Sequence, residues 1–129
     1  MANIVKFDFF LKQVDIIVPV PLFWWKQLWR GYNQALLLAR EISGICNIRT
    51  ADVLTRTKNT KTQTRLDEQE RRENVRNAFT LKSSDVKHKK ILLVDDVLTT
   101  GATMDECARV LKDAGAEKVY SLVAAITPR

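Results

Sequence analysis

Two adjacent carboxylates, Asp95 and Asp96, follow the aliphatic run Ile91-Leu92-Leu93-Val94, and after Val97 and Leu98 comes a small, hydroxyl-bearing loop, Thr99-Thr100-Gly101-Ala102-Thr103. Carboxylates so placed suit ribose hydroxyls, directly or through Mg²⁺, which takes one or two carboxylates together with phosphate oxygens and water. The loop suits a phosphate. Thr99, Thr100 and Thr103 offer hydroxyl donors, Gly101 lets the backbone turn its N–H groups inward, and Thr103 is expected to cap a following helix whose N-terminus attracts anions. An Asp-Asp pair alone is common at strand ends, and Thr-Thr-Gly alone is ordinarily a turn. Joined in this order they describe a sugar-phosphate site, with Asp95 and Asp96 as the candidate catalytic and indirect Mg²⁺-holding groups.

The elements that must position this site can be read from the pattern of the chain. Ile91 to Val94 has the continuous apolar character of a strand covered on both faces, as in a parallel sheet, whose carboxyl end is where open α/β sheets place ligands. Val14 to Val18 reads as another strand, stopped by Pro19-Val20-Pro21, where two prolines remove ladder donors and force an extended turn suited to a pyrophosphate. Ala35 to Ile42 reads as a helix, apolar nearly all round and therefore buried, ending before Gly44. Thr50 to Leu54 is expected to hold a short strand. Thr103 to Ala114 should be a helix with Cys107, Ala108, Val110 and Leu111 on one side and Gly115 as its C-cap, followed by a strand from Val119 to Ile126. This alternation predicts an α/β fold, a parallel sheet flanked by helices.

Between these elements, Thr55 to Asn74 is rich in Thr, Lys, Arg and Gln with hardly an apolar residue, and toward its end Asp67 to Val75 has a charged, helix-like pattern. So polar a stretch cannot be core and reads as a long flexible loop over a site. Arg56, Lys58, Lys61 and Arg65 on it are candidates for a pyrophosphate, weighed evenly against a solvated basic loop. All three tryptophans fall in Leu22-Phe23-Trp24-Trp25-Lys26-Gln27-Leu28-Trp29-Arg30. Aromatics this dense are most often packing residues. Trp24, Trp25, Lys26, Arg30 and Asn33 are nevertheless candidates for a pocket entrance or a DNA contact, with Asn33 also a candidate helix cap.

Composition narrows the class. At 129 residues, 46% hydrophobic and 28% charged, the chain suits one globular domain, residues 1 to 129. No apolar run is long enough for a membrane span, and Met1 to Leu11 lacks the marks of a signal peptide. Cys46 and Cys107 are far apart, without metal-ligand spacing, which fits a reducing cytoplasm better than a disulfide framework. The net charge of +6 is uneven: residues 49 to 90 hold twelve basic and six acidic groups and so supply the whole excess. Either a phosphorylated small molecule or a nucleic acid would be drawn to such a region.

The run from Ile91 to Thr103 is similar to the phosphoribosyl-pyrophosphate (PRPP) signature of type I phosphoribosyltransferases. Pro19-Val20-Pro21-Leu22, then Arg30-Gly31-Tyr32-Asn33-Gln34, then Gln63, Arg71, Asn74 and Ala78-Phe79, precede it in order, and together they look like the ComF group of phosphoribosyltransferase-like proteins, over roughly residues 15 to 127. The resemblance implies a type I phosphoribosyltransferase fold, Rossmann-like, with a flexible loop. It implies PRPP or a related nucleotide as ligand with Mg²⁺ as cofactor, and a cytoplasmic role in competence, handling single-stranded transforming DNA beside DNA-uptake or helicase components. Two departures stand out. Longer relatives begin with a four-cysteine zinc ribbon that is not seen here, and the hood over the base is reduced. The segment after Pro21 is aromatic where the group is commonly arginine-rich.

Phosphoribosyl transfer is the leading expectation, in which a nitrogen nucleophile displaces pyrophosphate through an oxocarbenium-like transition state. A rival of another class is a single-stranded DNA-binding module that keeps the fold without turnover, motivated by the basic middle segment and the tryptophans. A phosphoacceptor receiver domain fits poorly, because receivers separate their acidic pair from the phosphorylated Asp by a strand and a helix. Exposed tryptophans would favour an interface, for which a homodimer is the simplest arrangement.

Overall fold

The computed structural model describes residues 12–21, 34–57, 69, 76, 78–83, 85–98 and 101–126. In chain order these form β1 (Ile16–Pro19), α1 (Gln34–Cys46), β2 (Leu54–Arg56), β3 (Phe79–Leu81), β4 (Lys90–Leu98), α2 (Ala102–Asp113) and β5 (Lys118–Ile126). Three strands make a parallel sheet in the order β1-β4-β5, and β2 and β3 pair as a separate antiparallel ribbon. A single parallel bridge, Thr50 to Ile17, extends the sheet beyond β1. It is all that forms of the strand expected over Thr50 to Leu54, since the chain turns away at Ala51 and Leu54 opens β2 instead.

The apolar run in β4 explains the layering. Ile91, Leu92, Leu93 and Val94 are all 0% exposed, and the pleat sends them alternately to two faces. Ile91 and Leu93 join Ile16 and Val18 of β1 against Met104, Cys107 and Leu111 of α2 and against Leu54 and Phe79 of the ribbon. Leu92 and Val94 join Ile17 and Val14 against Ala39 of α1, with Leu38, Ile42 and Cys46 packed alongside. A helix on each face of a parallel sheet is thus dictated by a strand with no polar side. Burying each such Leu or Ile contributes about 1.5–3 kcal/mol.

Several element boundaries differ from the sequence expectation. Pro19 does not stop β1: it is the strand's last residue, paired with Val94, and Val20 N–H still donates to Val94 O at 2.9 Å. β4 runs on through Asp95 and Asp96 because β5 supplies partners as far as Ile126. α1 passes through Gly44 and ends at Cys46, where Asn47 takes a left-handed conformation at φ 57° and its N–H bonds to Ser43 O. Packing of Ile42 and Cys46 against the sheet outweighs the modest helix penalty of an exposed glycine. Nor is α1 buried all round, since Leu37 and Ile45 are 48% and 78% exposed and only Ala35 and Ala39 are fully covered.

α2 closes as expected, and its geometry shows why. Gly115 sits at φ 101°, its N–H donating to Lys112 O while Ala116 N–H donates to Leu111 O, the two bonds of a Schellman motif. Among the described residues no helix is long and apolar enough to cross a membrane, both Cys46 and Cys107 are free thiols, and no peptide bond is cis.

Candidate active site

The carboxyl ends of β1 and β4 lie side by side, and that adjacency assembles the site. Register pairs Pro19 with Val94, and the bond from Val20 N–H to Val94 O fixes the Pro19-Val20-Pro21 segment beside the next residue of β4, Asp95. On its other flank Asp95 is paired with Val123 of β5. The acidic pair is therefore held within the sheet, and each of its strand neighbours is itself anchored.

Asp95 follows Ile91 and Leu93 onto the face covered by α2 and the ribbon. Its Oδ1 accepts the N–H of Asp96 at 2.8 Å. Burial pushes its carboxyl up to about 7, aided by the side-chain hydrogen bond it shares with Asp96 and by the negative charge there, while the Asp96 N–H and the Arg56 guanidinium pull the other way. The site thus holds more negative charge than its own surroundings neutralise. Such a donor set fits a divalent cation, or the hydroxyls of a sugar, better than it fits a free ion pair. No group of three or more His, Cys, Asp or Glu side chains able to hold a metal occurs among the described residues.

Arg56 comes from a place the sequence did not indicate. It is expected on the loop, yet it is the last residue of β2, paired with Phe79 of β3, and its guanidinium lies 5.2 Å from the centre of the Phe79 ring. Burial lowers its pKa from the ordinary arginine range, opposed by Cys107 and Asp95. The ribbon therefore carries a cation inward, into electrostatic reach of Asp95, instead of outward on a loop. Thr57 tightens this base, its N–H donating to Ala78 O at 2.7 Å and its hydroxyl at 3.2 Å. Thr57 and Ala78 are thus held together at the base of the ribbon. The alternation of Ala78-Phe79-Thr80-Leu81 after a long polar stretch was the one available signal for this pairing.

At the start of α2 the expected cap is replaced. Gly101, at φ 83° and ψ −3°, is the N-cap, no side chain caps the helix, and Ala102 and Thr103 occupy its first two positions. Thr103 does not cap, because the left-handed Gly101 begins the helix two residues before it, its carbonyl accepting Asp105 N–H at 2.8 Å. Only glycine adopts that conformation without strain. Further along, the nine-tenths-buried Glu106 is held by Arg109, whose Nε donates to both carboxylate oxygens at 3.1 Å and whose other arm reaches Asp113 at 2.8 Å. Burial pushes the Cys107 thiol up, with Asp95 adding to the effect.

Of the residues singled out in the sequence, Pro19, Val20, Pro21, Arg56, Asp95 and Asp96 converge on the carboxyl end of the sheet, with Gly101, Ala102 and Thr103 opening the helix that follows β4. Thr99, Thr100, Lys58, Lys61, Arg65, Trp24, Trp25, Lys26, Arg30 and Asn33 lie outside the described residues.

A parallel sheet with a helix on either face, an acidic pair at the end of its central strand and a glycine-initiated helix directly after it are the parts of a phosphoribosyltransferase. The chain belongs to that family: residues 31–128 match the phosphoribosyl transferase domain. Within the family it is a ComF-type member, 40% identical over 112 residues, 84% of its length, to Competence protein F of Haemophilus influenzae. It is likewise 40% identical over 111 residues to the DNA utilization protein YhgH of Escherichia coli K12. The chain spans about half the length of these curated relatives, 49% and 48%. Among solved structures, the purine phosphoribosyltransferase of Pyrococcus horikoshii shares the fold with a TM-score of 0.59 at 20% identity, covering 98% of this chain and 69% of that one.

Proposed function

We propose that this protein binds PRPP, or a nucleotide-like phosphate of the same shape, together with Mg²⁺, and transfers the phosphoribosyl group. The observation that carries this reading is the placement of the Pro19-Val20-Pro21 segment directly beside Asp95, held by the Val20 to Val94 hydrogen bond. One side of the cleft then addresses pyrophosphate through turned backbone and the other addresses the ribose through carboxylates. In this reading the first-turn amides of α2, behind Gly101, receive the 5′-phosphate. Arg56 supplies positive charge from the ribbon, and Lys58, Lys61 and Arg65 follow it in sequence. Mg²⁺ would be held near Asp95 and Asp96, where it would supply charge neutralisation for the departing pyrophosphate. The residues of the chain bind and orient, and catalysis by this fold rests on positioning and electrostatic stabilisation more than on covalent work.

Titration calorimetry with PRPP and Mg²⁺ tests the reading. Asp95→Asn with Asp96→Asn should abolish the heat of binding while the melting transition persists, and undiminished heat in the double variant would reject the site.

A second reading, single-stranded DNA binding without turnover, is favoured by the basic excess of residues 49 to 90 and by the relatives named for competence and DNA utilization. The two activities are compatible, and the setting proposed for both is DNA uptake or use in the cytoplasm. A salt titration separates them: a steep fall in oligonucleotide affinity with salt supports strand binding, and a flat response rejects it.

A further inference from the structure

The edge of the sheet opposite the candidate active site is built from lysines. The three parallel strands begin there, with Lys12 before β1, Lys90 opening β4 and Lys118 opening β5. Lys87 lies in the turn that enters β4, and Lys112 lies in the last turn of α2. Lys90 and Lys118 are register partners on neighbouring parallel strands, whose backbones run about 4.8 Å apart. Juxtaposed like charges cost a sheet stability, and the fold itself gains nothing from this pair.

Several other described cations are ion-paired. Lys82 reaches Asp52, Arg49 and Lys89 reach Asp85, and Arg109 reaches Glu106 and Asp113. Among the described residues, no carboxylate lies in ion-pair range of Lys12, Lys87, Lys90, Lys112 or Lys118. Asp85 and Asp113 are taken up by Arg49, Lys89 and Arg109, while Asp15 Oδ2 accepts the Lys90 backbone N–H at 2.8 Å and the backbone carbonyl of the exposed Glu117 accepts Lys112 Nζ at 3.2 Å. Neither of these last two contacts neutralises a lysine.

The loops that carry these lysines are fixed to one another. Asp15 N–H donates to Lys90 O, His88 N–H to Gly115 O and Glu117 N–H to Lys89 O, each at 2.8 Å. His88 takes a left-handed conformation at φ 65° in that turn, a strain that ordinary turns avoid. The Lys87 stem lies across Gly115, 3.1 Å from where a Cβ would stand. The result is a preorganised row of cations across three strands, roughly 10 Å wide at the sheet alone.

We infer that this edge, from Lys12 and Lys87 to Lys90, Lys112 and Lys118, holds the phosphate backbone of single-stranded DNA, on the side of the sheet remote from the acidic pair; the inference rests on the strand-binding reading above. The composition of the edge selects nucleic acid over a protein partner. Protein interfaces are depleted in lysine and organised around apolar or aromatic anchors, and the exposed large hydrophobic residues among those described, Leu37 and Ile45, are both on α1. Phosphate contacts by contrast need only point charges, and they are read without sequence preference.

The test is a salt series on the full 129-residue chain with a fluorescent oligothymidylate of about 30 nucleotides as probe. Two variants are compared with the parent, Lys90→Gln with Lys118→Gln and Lys12→Gln with Lys87→Gln, each checked by thermal melting. Each neutralised contact on a single strand contributes about 0.7 to the slope of log affinity against log salt, so either pair should lower the slope by roughly 1.4. A steep parent slope that neither pair changes overturns this surface and leaves strand binding to be assigned elsewhere. A flat parent slope overturns the surface and the strand-binding reading together.

Discussion

The guanidinium of Arg56 lies over the ring of Phe79, its register partner across the ribbon, within electrostatic reach of Asp95. The contact does more than hold a side chain. A cation over an aromatic face is stabilised by the ring quadrupole and kept from reorienting toward water, so positive charge is available at the acidic pair before any ligand arrives. Arg56→Gln should therefore weaken Mg²⁺-PRPP binding about tenfold, equivalent to about 1.4 kcal/mol. Arg56→Lys should recover only part of this, because an ammonium restores the charge without the planar guanidinium. Calorimetry on the three proteins measures it, and equal affinities would reduce Arg56 to a packing role.

Asp95 gives a prediction whose sign follows from its environment. Its carboxyl is raised to about 7, chiefly by burial, whereas in the unfolded chain it titrates near 4. Below about pH 4 it is protonated in both states and costs nothing. As pH rises from there, the unfolded chain loses the proton first, so stability falls until the folded carboxyl also ionises near 7 and then levels off. Asp95→Asn removes that loss. The variant should be more stable than the parent at pH 8, by about 1–3 kcal/mol, with the gap closing toward pH 4. Melting curves across that range decide the matter, and a variant less stable than the parent at pH 8 would contradict the burial account.

Gly44 and Gly115 should respond to the same substitution in opposite directions. A Cβ on Gly44 meets nothing within 4 Å, and the residue is in the interior of α1, so Gly44→Ala should stabilise the protein by roughly 0.5–1 kcal/mol. A Cβ on Gly115 would press on the Lys87 stem at a backbone φ of 101°, so Gly115→Ala should cost about 1 kcal/mol or more. Denaturant midpoints of the two single variants measure both effects.

What could be read directly from the sequence is what local chemistry determines alone. Ile91 to Val94 is apolar on both faces wherever it is placed, which makes it a central strand, and Gly115 falls just past the last residue of a clear helical pattern. The acidic pair and the glycine that starts α2 are contiguous in the chain, so their proximity needed no fold. Arg56 could not be placed this way. Its neighbours Phe79 and Asp95 are distant in sequence, and β2 and β3 are three residues each, too short for a periodic signal. Gly44 misled for a related reason: a glycine penalty of about 1 kcal/mol is visible in the sequence, while the sheet packing that overrides it is not. Thr103 looked like a cap because threonine favours that position, but a left-handed Gly101 had already begun the helix.

Val20 offers the most direct test that register builds the site. Its N–H bond to Val94 O is the last rung between β1 and β4 before Asp95, and the side chain is only 5% exposed. Val20→Pro removes the donor and leaves a buried carbonyl without that bond, a loss of about 1–3 kcal/mol. Val20→Ile keeps the rung and adds one methylene, which should cost less. If the rung aligns the pyrophosphate side of the cleft with the ribose side, Val20→Pro should lower Mg²⁺-PRPP affinity well beyond what its reduced stability explains, measured at a temperature where both variants are fully folded. Equal affinities in the two variants would mean that the segment after β1 finds its place without the sheet.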